Sequence, residues 1–182
     1  VQLPFKLTGA QRKSIWEVVK DCAQAHPMNR LLEGDVGSGK TVVSAAAAAS
    51  ALHAGQRVVY LAPTEILASQ QHATFVSFLD EPVALLTRSQ QKFGEVSVSK
   101  SELIDQINNR EINCIVGTHA LLQENVKLGE VGLIIIDEQH RFGVEQRHAL
   151  LNKGERPAPH LLSMTATPIP RSLALTIYGD LE

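Results

Sequence analysis

The 182-residue chain is long enough for one well-cored domain and too short for two of ordinary size. Apolar residues make up 44% and charged residues 20%, which excludes a disordered tail, and a net charge of −2 carries no global signature of nucleic-acid binding. Cys22 and Cys114 are too few and too far apart for a disulfide framework or a zinc cluster, and no apolar run reaches membrane-spanning length, so a reduced, cytosolic protein is expected.

In chain order, a first helix is expected over 8–24 and an apolar strand over 30–33. Residues 34–41 then read GDVGSGKT, which fits G-x-x-x-x-G-K-[ST] with an added glycine at 37. Gly34, Gly37 and Gly39 are expected to take positive φ, so that the backbone around Ser38 curls its N–H groups about a phosphate. Lys40 supplies a fixed positive charge to β- and γ-phosphate oxygens, and the Thr41 hydroxyl suits Mg²⁺. The helix expected over 40–53 aims its positive end at the same anion. Its alanine run at 45–49 reads as a tightly packed helix.

Further along, strands are expected at 57–61, 83–86, 112–116, 132–136 and 160–163. Helices are expected at 65–78, 98–109, 144–152 and 170–178. Residues 87–97 (TRSQQKFGEVS) read as a surface loop. Strand runs such as GLIII at 132–136 lack polar alternation, so helices should bury both faces. The pattern predicts a single α/β domain over 1–182, built on a parallel, doubly wound sheet.

Asp137 follows the strand at 132–136 and so falls at the carboxyl edge of the sheet, where ligands of α/β proteins bind. There it suits the water shell of Mg²⁺ opposite Thr41, and Glu138 suits the attacking water as general base. The plain alternative is a strand end with solvated acids. A zinc site from Asp137, Glu138 and His140 is disfavoured, because no second histidine stands at ligand spacing.

The blocks LPFKLTGAQ (3–11), GDVGSGKT (34–41), APTEILASQQH (62–72), GTHALLQ (117–123), DEQHRFGVEQR (137–147) and MTATPIPRSLA (164–174) follow one another in this order. Together they resemble the DExH branch of superfamily-two helicases, and closely its RecG-type branched-DNA helicases. The resemblance implies a RecA-like P-loop NTPase fold, a parallel sheet sandwiched by helices, with ATP and Mg²⁺ as cofactors. It implies Lys40, Asp137, Glu138 and His140 as the catalytic set. It also implies Gln11 as the reader of the adenine edge, with Phe5 near the base; a surface glutamine is the alternative.

Pro63, Thr64, Glu65, Thr118 and His119 resemble DNA-backbone motifs, with a helix cap and a packed histidine as the plain alternative. Thr165, Ala166 and Thr167 resemble the block that couples the ATP site to DNA through His140. Arg141 and Phe142 resemble an aromatic loop that reports DNA occupancy, though a core phenylalanine explains Phe142 equally well. Arg88 stands where such proteins usually carry a small residue. With Lys92 and Lys100 it either meets phosphates or belongs to a solvated charged loop.

The start at Val1 and the end at Glu182 suggest a piece of a longer protein. A second RecA-like lobe in cis and a DNA-binding wedge are expected elsewhere, so the piece alone should be nearly inactive. The resemblance implies branched or forked duplex DNA as partner, no membrane, and a place at the bacterial nucleoid. It implies action on stalled replication forks and recombination junctions. Alternatives are the equivalent lobe of the transcription-repair coupling translocase, or a nucleotide-gated DNA-binding module with a vestigial ATPase.

Overall fold

Apolar runs that alternate with amphipathic segments place the strands of this chain in the middle of a layered sheet. The computed structural model describes residues 5–24, 26–138, 142–143, 150 and 158–166. In chain order these form α1 (Gly9–Cys22), β1 (Asn29–Glu33), α2 (Lys40–His53), β2 (Val58–Leu61), α3 (Glu65–Phe78) and β3 (Val83–Leu86). There follow β4 (Gln91–Phe93), β5 (Val96–Ser97), α4 (Lys100–Asn108), β6 (Cys114–Gly117), a 3₁₀ turn at His119–Leu122, β7 (Leu133–Ile136) and β8 (His160–Thr165). The sheet order is β1-β8-β7-β2-β6-β3-β4-β5. Pairings from β1 through β3 are parallel, and those of β4 and β5 are antiparallel.

The middle strands are buried on both faces, as their unbroken apolar runs require. Tyr60, Leu85, Ile135 and Leu162 meet α1, α2 and α3 on one side. Val59, Leu61, Ile134 and Ile136 meet α4, the 3₁₀ turn, Phe142 and Leu150 on the other. Leu133 to Ile136 are all 0% exposed. Burying each such side chain stabilises the fold by about 1.5–3 kcal/mol. In α2 the small Ala45, Ala47, Ala48 and Ala51 are buried, which lets that helix lie close against both the sheet and α1.

Local chemistry sets the ends. Thr8 and Gln11 form a reciprocal capping box at the start of α1. Ser99 caps α4 by accepting from the Glu102 N–H, which trims the helix expected over 98–109. The surface loop expected at 87–97 instead contains the hairpin β4–β5, turned at Gly94 with φ +58°. The hairpin supplies β3 with a partner on its open side, where backbone groups would otherwise go unpaired. Strands of two and three residues are too short to show a period. Apart from Leu150, the helices expected at 144–152 and 170–178 lie outside the described residues.

Candidate nucleotide-binding site

The loop from Gly34 to Gly39 joins β1 to α2 at the carboxyl edge of the sheet. Gly37 (φ +83°) and Gly39 (φ +87°) take the left-handed conformation expected of them. Gly34 does not, which corrects the sequence reading: its smallness answers to Ser38, whose Oγ would stand 2.8 Å from an added Cβ. The Gly34 N–H donates to the Thr165 carbonyl at 3.3 Å, tying the loop to the end of β8. Lys40 folds back over the loop, its Nζ donating to the carbonyls of Gly34 (2.5 Å) and Asp35 (3.0 Å). A cation held beside a glycine-rich loop is suited to an anion of several oxygens.

Across a cavity of about 270 Å³ the loop faces the second acidic strand end; Gly37, Lys40, Thr41, Asp137, Glu138 and Ala166 all line it. The Asp137 N–H donates to the Leu61 carbonyl at 2.9 Å, fixing the backbone just past β7. Its side chain is 7% exposed and accepts from the Tyr60 hydroxyl at 3.0 Å. Burial, and then the adjacent Glu138, push the Asp137 carboxyl above its ordinary pKa, while Tyr60, the Glu138 N–H and Lys40 hold it down. Glu138 sits at φ +47°, a region costing a side chain about 1–3 kcal/mol and concentrated at functional positions.

A divalent cation fits this donor set. Thr41 and Asp137 offer hard oxygens, and among the described residues no cluster of three His, Cys, Asp or Glu could hold a metal unaided. Mg²⁺ takes hard oxygens such as these and keeps water and phosphate oxygens among its ligands. Tyr60 escaped sequence reading. The available signal was a hydroxyl inside the otherwise aliphatic run VVYL, since a buried phenol needs a partner.

The family model for DEAD/DEAH box helicases matches residues 8–176. The chain belongs to that family. Among helicase relatives, the ATP-dependent DNA helicase RecG of Synechocystis sp. is 50% identical over 99% of this chain, which covers 21% of that protein. RecG of Escherichia coli O157:H7 is 48% identical over 99% of the chain, which covers 26% of it. The chain thus spans about a quarter or less of the length of these relatives. A solved structure of RecG bound to a three-way DNA junction superposes with a TM-score of 0.78 at 45% identity, covering 98% of this chain and 23% of that one. The SWI2/SNF2 ATPase core of Sulfolobus solfataricus, in complex with dsDNA, matches at TM-score 0.66 and 18% identity over 90% of this chain and 32% of its own, a likeness of fold. The helicase fold is the RecA-like α/β sandwich expected from the sequence.

The remaining candidate residues fall into distinct settings. Gln11 spends its amide on the protein: Oε1 accepts from the Thr8 N–H (2.9 Å) and Nε2 donates to the Ser38 carbonyl (3.0 Å). One amide hydrogen is left for a base edge. Phe5 stands edge-on to Phe78 with centroids 6.2 Å apart. Pro63 leads into α3, which Thr64 caps by accepting from the Leu67 N–H at 3.3 Å. Glu65 turns away from that helix end to the β3–β4 turn, where it accepts from the N–H groups of Arg88 (3.0 Å) and Ser89 (3.2 Å) and from the Ser89 hydroxyl. Glu65, expected from the sequence at a DNA-backbone motif, here clamps the β3–β4 turn, and Arg88 is exposed beside it.

Thr118 is buried after β6, and His119 is exposed with its ring 5.3 Å from that of Phe142. Phe142 is 5% exposed and belongs to the core on the α4 side. The ring thus takes the core position that was one of its two sequence readings. Thr165 is buried at the end of β8. His140, Arg141 and Thr167 lie outside the described residues.

Proposed function

We propose that residues 1–182 form the ATP-binding first motor lobe of an ATP-dependent DNA helicase that acts on branched DNA, at stalled replication forks and recombination junctions. One observation carries the reading: the glycine loop with Lys40, and Asp137 with Glu138, line a single cavity at the carboxyl edge of the sheet. Loop amides and Lys40 bind the triphosphate, Thr41 and Asp137 hold the metal, and Glu138 orients and deprotonates the attacking water. Bound Mg²⁺ supplies charge neutralisation at the β- and γ-phosphate oxygens. The cavity is built from one lobe, and a second RecA-like lobe in cis would bring arginine to the γ-phosphate. A missing arginine of this kind slows GTPases by roughly 10³–10⁵, so the first lobe alone binds nucleotide and turns it over slowly.

The partner class rests on the relatives, which are named as DNA helicases, and on the related structure bound to a three-way junction. These favour the branched-DNA reading over a transcription-repair translocase. They also suit a protein of the bacterial cytoplasm, working at the nucleoid. Among the described residues no helix is long and apolar enough to cross a membrane.

Titrating ADP and ATP against the protein and its Lys40→Ala variant, with and without forked DNA, tests the assignment. Nucleotide affinity that ignores Lys40 would sink it. In the full-length protein, Glu138→Gln separates an enzyme from an inert module: turnover should fall by roughly 10²–10⁴ with nucleotide binding kept.

A further inference from the structure

The hydroxyl of Tyr60, buried behind the Asp137 that lines the cavity, is left without a role by the nucleotide reading. Its ring is 0% exposed on β2, in register with Ile135 of β7 and Val116 of β6. Phe75 from α3 stands edge-on to it, with centroids 5.2 Å apart and planes at 75°. A ring packed on all sides cannot swing, so its hydroxyl is fixed in space. The atom it reaches is Asp137 Oδ2, at 3.0 Å. The Glu138 N–H bonds to the same carboxylate. An unsupported carboxylate turns freely about its last bond, and a cation then meets several orientations instead of one.

We infer that Tyr60 is a positioning residue for the metal carboxylate: its hydroxyl holds Asp137 Oδ2 so that the side chain offers one fixed face to a divalent cation shared with Thr41 and the phosphates. The inference rests on the proposed nucleotide site and deepens it. It assigns to β2 a part in metal binding that is separate from the phosphate loop. A tyrosine that merely satisfies its own hydroxyl in the core would leave metal affinity untouched when the hydroxyl is removed.

Tyr60→Phe keeps the ring and its packing on Phe75 and deletes the one atom in question. Mn²⁺ binding to the ADP complex, followed by electron paramagnetic resonance, should weaken by about tenfold or more, as when outer-shell partners of metal ligands are removed. ADP affinity measured in EDTA should stay at the wild-type value. Phe75→Leu loosens the packing but spares the hydroxyl, and should weaken Mn²⁺ binding less than Tyr60→Phe does. Unchanged Mn²⁺ affinity in Tyr60→Phe overturns the inference. So does an equal loss with and without metal, or a matching loss in Phe75→Leu. Wild-type protein that binds ADP no better than Lys40→Ala would instead remove the nucleotide site itself, and this inference with it.

Discussion

Gln11 in α1 and Ser38 in the phosphate loop are joined by a 3.0 Å hydrogen bond from the amide Nε2 to the carbonyl, across 27 positions of sequence. The other end of the same amide closes the capping box with Thr8. The start of α1 is therefore a strut under the loop, and loop conformation and helix capping depend on one side chain. Gly39 lies against that strut: it is left-handed, and a Cβ on it would stand 2.2 Å from Gln11 Nε2.

Gly39→Ala should therefore do two kinds of damage. The forced left-handed alanine costs about 1–3 kcal/mol, and the methyl group displaces Gln11 from Ser38. The expected result is a lower urea midpoint together with loss of ADP binding. Gln11→Ala keeps the glycine and removes the strut together with the Gln11 half of the capping box, at a cost of about 1 kcal/mol for each bond, with weakened rather than abolished ADP binding. An alanine at 39 that binds ADP like wild type would show that the loop does not need this conformation.

Glu65 gives a prediction with a definite pH sign. The Ser89 hydroxyl above all lowers its pKa below the ordinary carboxylate value; burial is the next effect and opposes it, and the Ser89 and Arg88 N–H groups and the Arg88 charge add to the lowering. Folding thus favours the ionised form, so the stabilisation is complete above the ordinary value and is lost as pH falls through the lowered one. Glu65→Gln should be less stable than wild type at neutral pH, and the two urea midpoints should converge in acid. Hydrogen exchange at Arg88 and Ser89 should quicken in the variant. A midpoint difference that ignores pH would mean the carboxylate charge contributes nothing to the clamp.

These cases show which features a sequence can display. The phosphate loop was readable because its chemistry restricts residue types over eight consecutive positions. The central strands were readable because burial on both faces leaves unbroken apolar runs. The bonds Tyr60–Asp137 and Gln11–Ser38 were not, because each depends on strand order or helix docking, which neighbours in sequence do not encode. Phe142, between Arg141 and Gly143, has polar-looking surroundings in sequence, and only the fold puts its ring into the core beside His119. Gly34 fits the loop pattern for a reason other than the one the pattern suggests: it makes room for Ser38.

Arg57 tests the opposite end of β2. It is 3% exposed, and its guanidinium donates to the Ile107 carbonyl at 3.0 Å and to the Leu128 carbonyl. Burial, and then the nearby Arg110, bring its pKa down to about 10. Arg57→Met keeps much of the stem but leaves the Leu128 carbonyl without its donor, while the Ile107 carbonyl still accepts from the Arg110 N–H at 3.1 Å. A loss of about 1–3 kcal/mol follows if the stranded group costs what buried acceptors usually do. ADP affinity should be unchanged below the melting transition, since Arg57 is not among the residues lining the phosphate cavity. A variant as stable as wild type would mean that the Leu128 carbonyl finds another donor.

Asp137 predicts a conflict between stability and binding. Burial, and next the neighbouring Glu138, raise its pKa above the ordinary carboxylate value. The folded state therefore holds a proton that the unfolded chain has already released, and stability falls as pH rises from the ordinary value through the raised one. At neutral pH, without nucleotide, the ionised carboxylate is a net cost. Asp137→Asn removes that cost and leaves an amide oxygen to accept from Tyr60, so its melting temperature in metal-free buffer should exceed that of wild type. Saturating Mg·ADP should reverse the order. Ligand at a hundredfold over Kd stabilises the protein that binds it by about 2.7 kcal/mol, and the variant cannot gather that term through a neutral side chain. Melting curves of both proteins, with and without Mg·ADP, read the crossing directly. If Asp137→Asn melts below wild type in both conditions, the carboxylate is held for structure and its place opposite Thr41 has no bearing on metal.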